Sequence, residues 1–218
     1  MVIEKQFEPW ENTMRSRITP GQLARALLGS KFHIAGRLYR RIFVDMDKVT
    51  DCIMHQLPAG AHVLDIGGGD GYVVDMLLAK RPDIRVTMID IATDIGRFIR
   101  AEHEVRVTIR AQTELSAVEG DFDAFTITDV IHHVPQSARA EFLSSIAGAA
   151  QRTRCNKIIV KDVQPGKLRA LLALWGDLYI TGDKGVSLVG MEDIALPGFR
   201  RTYADMPDYP NYCITFSA

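Results

Sequence analysis

Short apolar runs alternate with stretches of helical spacing along most of this chain. Residues 62–66, 84–90, 105–110, 122–128 and 157–163 are compact apolar runs bounded by turn residues, and each predicts a strand. Between them, residues 71–80 and about 94–102 carry apolar positions three and four apart, the spacing of one helix face. The same spacing runs after Pro135 through Phe142, Leu143, Ile146 and Ala150. A further helix is predicted over 166–180, with Leu171, Leu172, Leu174, Trp175 and Leu178 on its apolar face, followed by a loop at 181–185. The runs 199–204 and 212–216 are two last strands joined through 206–210. So short a connection pairs them antiparallel. Regular alternation of strand and helix predicts an α/β domain, with a parallel sheet covered on both faces.

The first part of the chain reads differently. Residues 1–18 are irregular, with Phe7 and Trp10 as their large aromatic groups. Thr19-Pro20 starts a short helix over 22–28 that ends near Gly29. Ile34, Leu38, Ile42, Val49, Ile53 and Leu57 then recur at helical steps, interrupted around Asp45 and Met46, and Pro58-Ala59-Gly60 stops the pattern. Lys31, Arg37, Arg40, Arg41 and Lys48 fall on the other face. They read first as a solvated surface, and otherwise as a basic rim that attracts an anionic substrate.

Composition narrows the class. With 218 residues, 47% of them hydrophobic, the chain suits one full α/β domain over 57–218 and an N-terminal extension over 1–56. A formal net charge of −1 gives no large basic field, so no nucleic-acid partner is expected. Cys52, Cys155 and Cys213 are too few and too scattered for a disulfide framework or a metal motif, which points to a reducing, cytoplasmic setting. No stretch reaches the roughly 18 uninterrupted apolar residues of a membrane span. The sequence leaves the oligomeric state open.

The chemistry gathers where the first strand ends. Asp65 is followed by Gly67, Gly69 and Gly71, a tight loop that opens the next helix. The dinucleotide pattern G-x-G-x-x-G fails because Tyr72 holds its sixth position, which argues against a nicotinamide oxidoreductase. An acid at Asp65 suits a ligand with a cationic group, and Asp90, closing the next apolar run, is placed to accept from ribose hydroxyls. The stretches V-L-D-I-G-G-G-D-G and V-T-M-I-D-I resemble the first two motifs of the class I S-adenosylmethionine-dependent methyltransferases. The resemblance covers about residues 57–218.

That resemblance implies a Rossmann-like seven-stranded methyltransferase sheet, mostly parallel with an antiparallel last strand and helices on both faces. It implies S-adenosyl-L-methionine as cofactor, with Asp65 toward its methionine end, Asp90 on its ribose and Ile91 on its adenine face; the plainer reading of Ile91 is core. Leu115 to Phe122 keeps the family's seven-residue step, which puts Ala111 where the family carries an acid for the adenine amino group. Gln112 could substitute. Thr128 and Asp129 end the fourth strand opposite the glycine loop, where open α/β sheets bind ligands. They are expected to face the cofactor. Ile131-His132 matches the Leu-His of plant-type O-methyltransferases, whose histidine is the general base, with His133 as second candidate. A metal reading of the adjacent histidines is poor, since no further ligand recurs at useful spacing. Lys161-Asp162 reads first as a structural salt-bridged pair, and otherwise as a substrate contact. Trp175, Tyr179 and Tyr203 read as core or acceptor-pocket residues, and the N-terminal helices as a substrate-selecting lid. The expected function is methyl transfer to a small-molecule acceptor. The alternative is a non-catalytic cofactor-binding subunit that supports a partner. A nucleic-acid or protein methyltransferase is disfavoured, because Asp129-Val130-Ile131-His132 stands where those carry Asn-Pro-Pro-Tyr or Asp-Pro-Pro-Tyr.

Overall fold

The computed structural model describes residues 45–166 and 187–218. The helices expected before Asp45, the helix expected over 166–180 with Trp175 and Tyr179, and the 181–185 loop lie outside them. So do the basic residues expected at 31–41.

The first described helix, α1 (Met46–Gln56), starts where the Asp45 carboxylate accepts from the Lys48 amide at 3.2 Å. Val49, Cys52 and Ile53 form its buried stripe. They pack with Leu57, Ala61, Val63, Val74 and Leu77, so residues 46–56 are part of the helical cover of the sheet. At its end the Arg81 guanidinium donates to Met54 O of the last turn and to Leu57 O and Pro58 O just beyond it, at 2.7–3.2 Å.

The remaining elements follow in strand–helix order. They are β1 (His62–Ile66), α2 (Tyr72–Lys80), β2 (Arg85–Ile89), a short α3 (Ala101–Glu104), β3 (Val107–Arg110), β4 (Ala124–Thr128), α4 (Arg139–Arg152), β5 (Lys157–Val163), β6 (Arg200–Asp208) and β7 (Asn211–Ser217). The seven strands form one sheet in the order β3-β2-β1-β4-β5-β7-β6. β1 pairs in parallel with both β2 and β4, whereas β7 runs antiparallel to β5 and to β6. Residue parity along each strand sorts the core into two layers. Val63, Met88, Ala124 and Ile159 pack under α1 and α2; Leu64, Phe125, Ile127 and Ile158 pack with Ile146 and Ala150 of α4. Each fully buried aliphatic side chain contributes about 1.5–3 kcal/mol, enough to fix the register of every central strand.

Two expectations are corrected. The helix expected over 94–102 shrinks to Ala101–Glu104. Gly96 has φ +75°, and the amides of Gly96 and Phe98 donate to Gly69 O and Asp70 O, so they cannot close helical turns. β6 runs on through Pro207 to Asp208, because an edge strand tolerates a residue with no N–H to give. On that strand Tyr203 lies against α1, its hydroxyl 3.6 Å from Cys52 Sγ, and joins the core cluster there. Among the described residues no helix is long and apolar enough to cross a membrane.

Candidate active site

The order of the strands puts the switch point between β1 and β4. The chain leaves β1 for β2 and β3 on one side, then returns to β4 on the other, opening a crevice at the carboxyl ends. The glycine loop fills one side of it. Gly69 has φ +49°, and a Cβ there would meet nothing nearer than Gly67 O at 3.9 Å, so its open side is free for close approach by a ligand. Gly67 and Gly71 also have positive φ; they let the loop pass Val130 and Ile99. Gly68, which the G-x-G-x-G pattern treats as a spacer, is as tightly enclosed as Gly67. A Cβ there would lie 2.6 Å from Asp65 Oδ2 and 2.7 Å from Met88 Cε. Gly68→Ala is therefore expected to cost about 1–3 kcal/mol of stability by overpacking, read by urea denaturation. A neutral result would show that Asp65 and Met88 yield freely.

Asp90 ties the loop to the end of β2. Its Oδ2 accepts from Gly69 N at 3.0 Å and its Oδ1 from Ala92 N at 2.9 Å. A carboxylate has about four acceptor positions, so two remain for ribose hydroxyls. Ile91 is 73% exposed beside it, which corrects the reading of this residue as core. Gln112, exposed at φ +52°, donates its amide to Ala92 O at 3.2 Å and so lies against the same loop as Ile91. Ala111, half-buried, supplies no acid.

Asp65 is buried and accepts from Thr126 Oγ1 at 2.7 Å. Burial, with a further push from the Asp90 charge, raises its carboxyl to about 6 against the pull of the Thr126 hydrogen bond. At the end of β4, Thr128 is half-buried and in register with Lys161, and Asp129 takes the left-handed conformation at φ +56°. Lys161, buried, donates to both Asp129 oxygens at 2.6 and 2.7 Å, and the Asp129 amide donates to Lys161 O.

His132 and His133 follow in a single turn, Ile131–His133, with their rings 4.1 Å apart between centroids. His132 is buried, and its Nδ1 lies 2.5 Å from Asp162 Oδ1. His133 is half-buried. The amides of Ile131 and His132 donate to Asp162 Oδ2, and that of Val163 to Oδ1. Burial alone would raise the Asp162 carboxyl. The His132 charge and hydrogen bond, the Val163 amide and Lys161 outweigh it and hold the group below the usual carboxylate range. Lys161 and Asp162 do not pair with each other as expected, because neighbours on a strand point to opposite faces. Each serves the β4 end separately. Ligand atoms of Asp129, His132 and Asp162 lie within 4.8 Å of one another. Lys161 occupies Asp129, however, and His132 with three amides occupies Asp162, so these groups are already committed. Where the description resumes, Ser187 N donates to His132 O at 3.0 Å, and Arg139 clasps Val134 O and Ser187 Oγ.

The open face of Gly69, the spare acceptors of Asp90, the exposed Ile91 and an Asp65 that pairs with no cation among the described residues together fit an adenosyl group with a cationic tail. Residues 63–152 match the methyltransferase domain family. The seven-stranded sheet is likewise the fold of solved methyltransferases. A ubiquinone biosynthesis O-methyltransferase from Xanthomonas axonopodis pv. citri is 38% identical over 84 residues, which is 36% of this chain and 34% of that protein. The mitomycin 7-O-methyltransferase MmcR shares the fold with a TM-score of 0.64 at 19% identity, over 88% of this chain and 60% of that one. An O-methyltransferase from neocarzinostatin biosynthesis, solved with S-adenosyl-L-homocysteine and 1,4-dihydroxy-2-naphthoic acid, does so with a TM-score of 0.60 at 17% identity, over 76% and 52%. The chain spans between a quarter and about a third of the length of the curated relatives it matches.

Proposed function

We propose that this chain transfers a methyl group from S-adenosyl-L-methionine to a hydroxyl of a small-molecule acceptor, with His132 as general base. The observation that carries the reading is the His132–Asp162 pair at the ligand edge of the sheet, next to a glycine loop with room for the cofactor. Asp162 stays ionised and accepts from Nδ1, so the neutral ring keeps its proton there and its lone pair on Nε2. A base so oriented can take the hydroxyl proton as the oxygen attacks. His133, half-buried with its ring beside that of His132, is the second candidate.

Asp90 and Ile91 would hold the ribose and adenine and Asp65 the cationic methionine end, with Gln112 at the adenine edge and Thr128 and Asp129 beside the cofactor at the end of β4. When bound, the cofactor supplies the activated methyl group; the protein's part is to hold donor and acceptor in line in a dry site. The O-methyltransferases matched above support a hydroxyl acceptor. The segment before Asp45 is where acceptor selection is proposed to lie. Three free, buried cysteines support a reducing cytoplasmic setting.

Asp90→Ala should weaken S-adenosylhomocysteine binding by about 1.5–3 kcal/mol, the worth of charge-assisted hydrogen bonds, in calorimetric titration. Unchanged affinity would place the adenosyl group elsewhere and remove the basis of this reading.

A further inference from the structure

The segment from Ile91 to Arg100 is built into the glycine loop. Gly96 N donates to Gly69 O at 2.9 Å and Phe98 N to Asp70 O at 2.8 Å. The two loops meet on glycines: a Cβ at Gly71 would lie 3.1 Å from Gly96 Cα and 3.0 Å from the Ile99 side chain, and one at Gly96 would lie 2.5 Å from Ile109 Cδ1. Asp90 fixes the near end of this segment through Ala92 N. Asp75, in the first turn of α2 and 8% exposed, fixes the far end. Its carboxylate accepts from Arg100 N at 3.0 Å, Arg100 Nε at 2.8 Å and His103 Nδ1 at 2.7 Å. Burial works to raise that carboxyl, but these partners outweigh it and hold it below its ordinary range, as befits a carboxylate matched to its donors.

We propose that Asp75 is a positioning residue for the cofactor, holding the 91–100 segment against the glycine loop through Arg100 and His103. The segment begins with Ile91, directly after Asp90, so its placement sets where the adenine and ribose contacts stand relative to Gly69. Without the Asp75 anchor, the far end of the segment loses its tie to α2 and depends on the two loop-to-loop hydrogen bonds, the glycine seam and the Phe98–Tyr72 contact. This inference rests on the cofactor reading above.

The test uses the whole chain with S-adenosylhomocysteine as probe. Asp75→Ala, Asp75→Asn and Arg100→Met are titrated calorimetrically, and amide exchange at Gly96 and Phe98 is followed without ligand. Arg100 is half-exposed, so its variant tests the link even if Asp75→Ala folds poorly. Affinity should fall about tenfold in Asp75→Ala and Arg100→Met. Asp75→Asn, which keeps an acceptor, should recover part of it, and exchange at both amides should quicken in the same order. Ile146→Val, in the other core layer, is the destabilised control and should bind as the wild type does. Wild-type affinity in Asp75→Ala and Arg100→Met overturns the inference, as does an equal loss in Ile146→Val. A wild-type chain that does not bind the probe overturns the cofactor reading and this inference with it.

Discussion

Replacing His132 by alanine or asparagine is expected to cut turnover on a hydroxyl acceptor by about 10²–10⁴, the usual contribution of a general base. The affinity for S-adenosylhomocysteine should be nearly unchanged, because the proposed base would act on the acceptor and not on the cofactor. The loss should fall in kcat, since the proton moves in the transition state. The two variants separate chemistry from folding. Alanine leaves the buried Asp162 carboxylate with its three amide donors but without the hydrogen bond from Nδ1, a loss of stability by itself. Asparagine can still donate to Asp162 but has no basic nitrogen. Equal loss of turnover with unequal loss of stability is therefore the signature of a base. Full activity of His132→Asn on a hydroxyl acceptor would leave the pair a purely structural role.

Asp65→Asn is expected to stabilise the protein while weakening cofactor binding. The Asp65 carboxyl is raised from 3.8 to about 6 by burial. Between those values the folded state binds more protons than the unfolded state, so stability falls as pH rises through this window. The cost is fully present above about pH 6 and absent below about pH 4. A shift of this size corresponds to about 3 kcal/mol. Asparagine removes the charge and keeps an oxygen for the Thr126 hydroxyl, so urea denaturation should show a gain of that order near pH 7.5 and little near pH 4. An equal effect at both values would trace the change to packing. A carboxylate that costs the fold so much is expected where a cationic ligand repays it, hence the accompanying loss of affinity.

Much of the fold was legible because its signals are local. The strands expected at 62–66 and 157–163 coincide with β1 and β5, since their centres, Val63-Leu64 and Ile158-Ile159-Val160, are buried on both faces and apolar. The glycine loop and Asp90 were legible from spacing. What escaped depends on partners distant in sequence. The 94–102 pattern has helical periodicity, but its amides are claimed by Gly69 and Asp70, which no local rule reveals. Gly68 escaped because nothing in the sequence places Asp65 Oδ2 and Met88 Cε above it. The pairing of Asp162 with His132 was hidden by the adjacent lysine. Strand alternation alone could have shown that Lys161 and Asp162 serve different faces, though not which residues they would meet.

The central claim is that the crevice between the glycine loop and the end of β4 holds S-adenosylmethionine. Calorimetric titration of the wild-type chain with S-adenosylhomocysteine, beside a parallel titration with nicotinamide adenine dinucleotide, tests it most directly. The expected result is saturable one-to-one binding of the first, lost or strongly weakened in Asp90→Ala, and none of the second. Binding of the dinucleotide, or of neither, would contradict it.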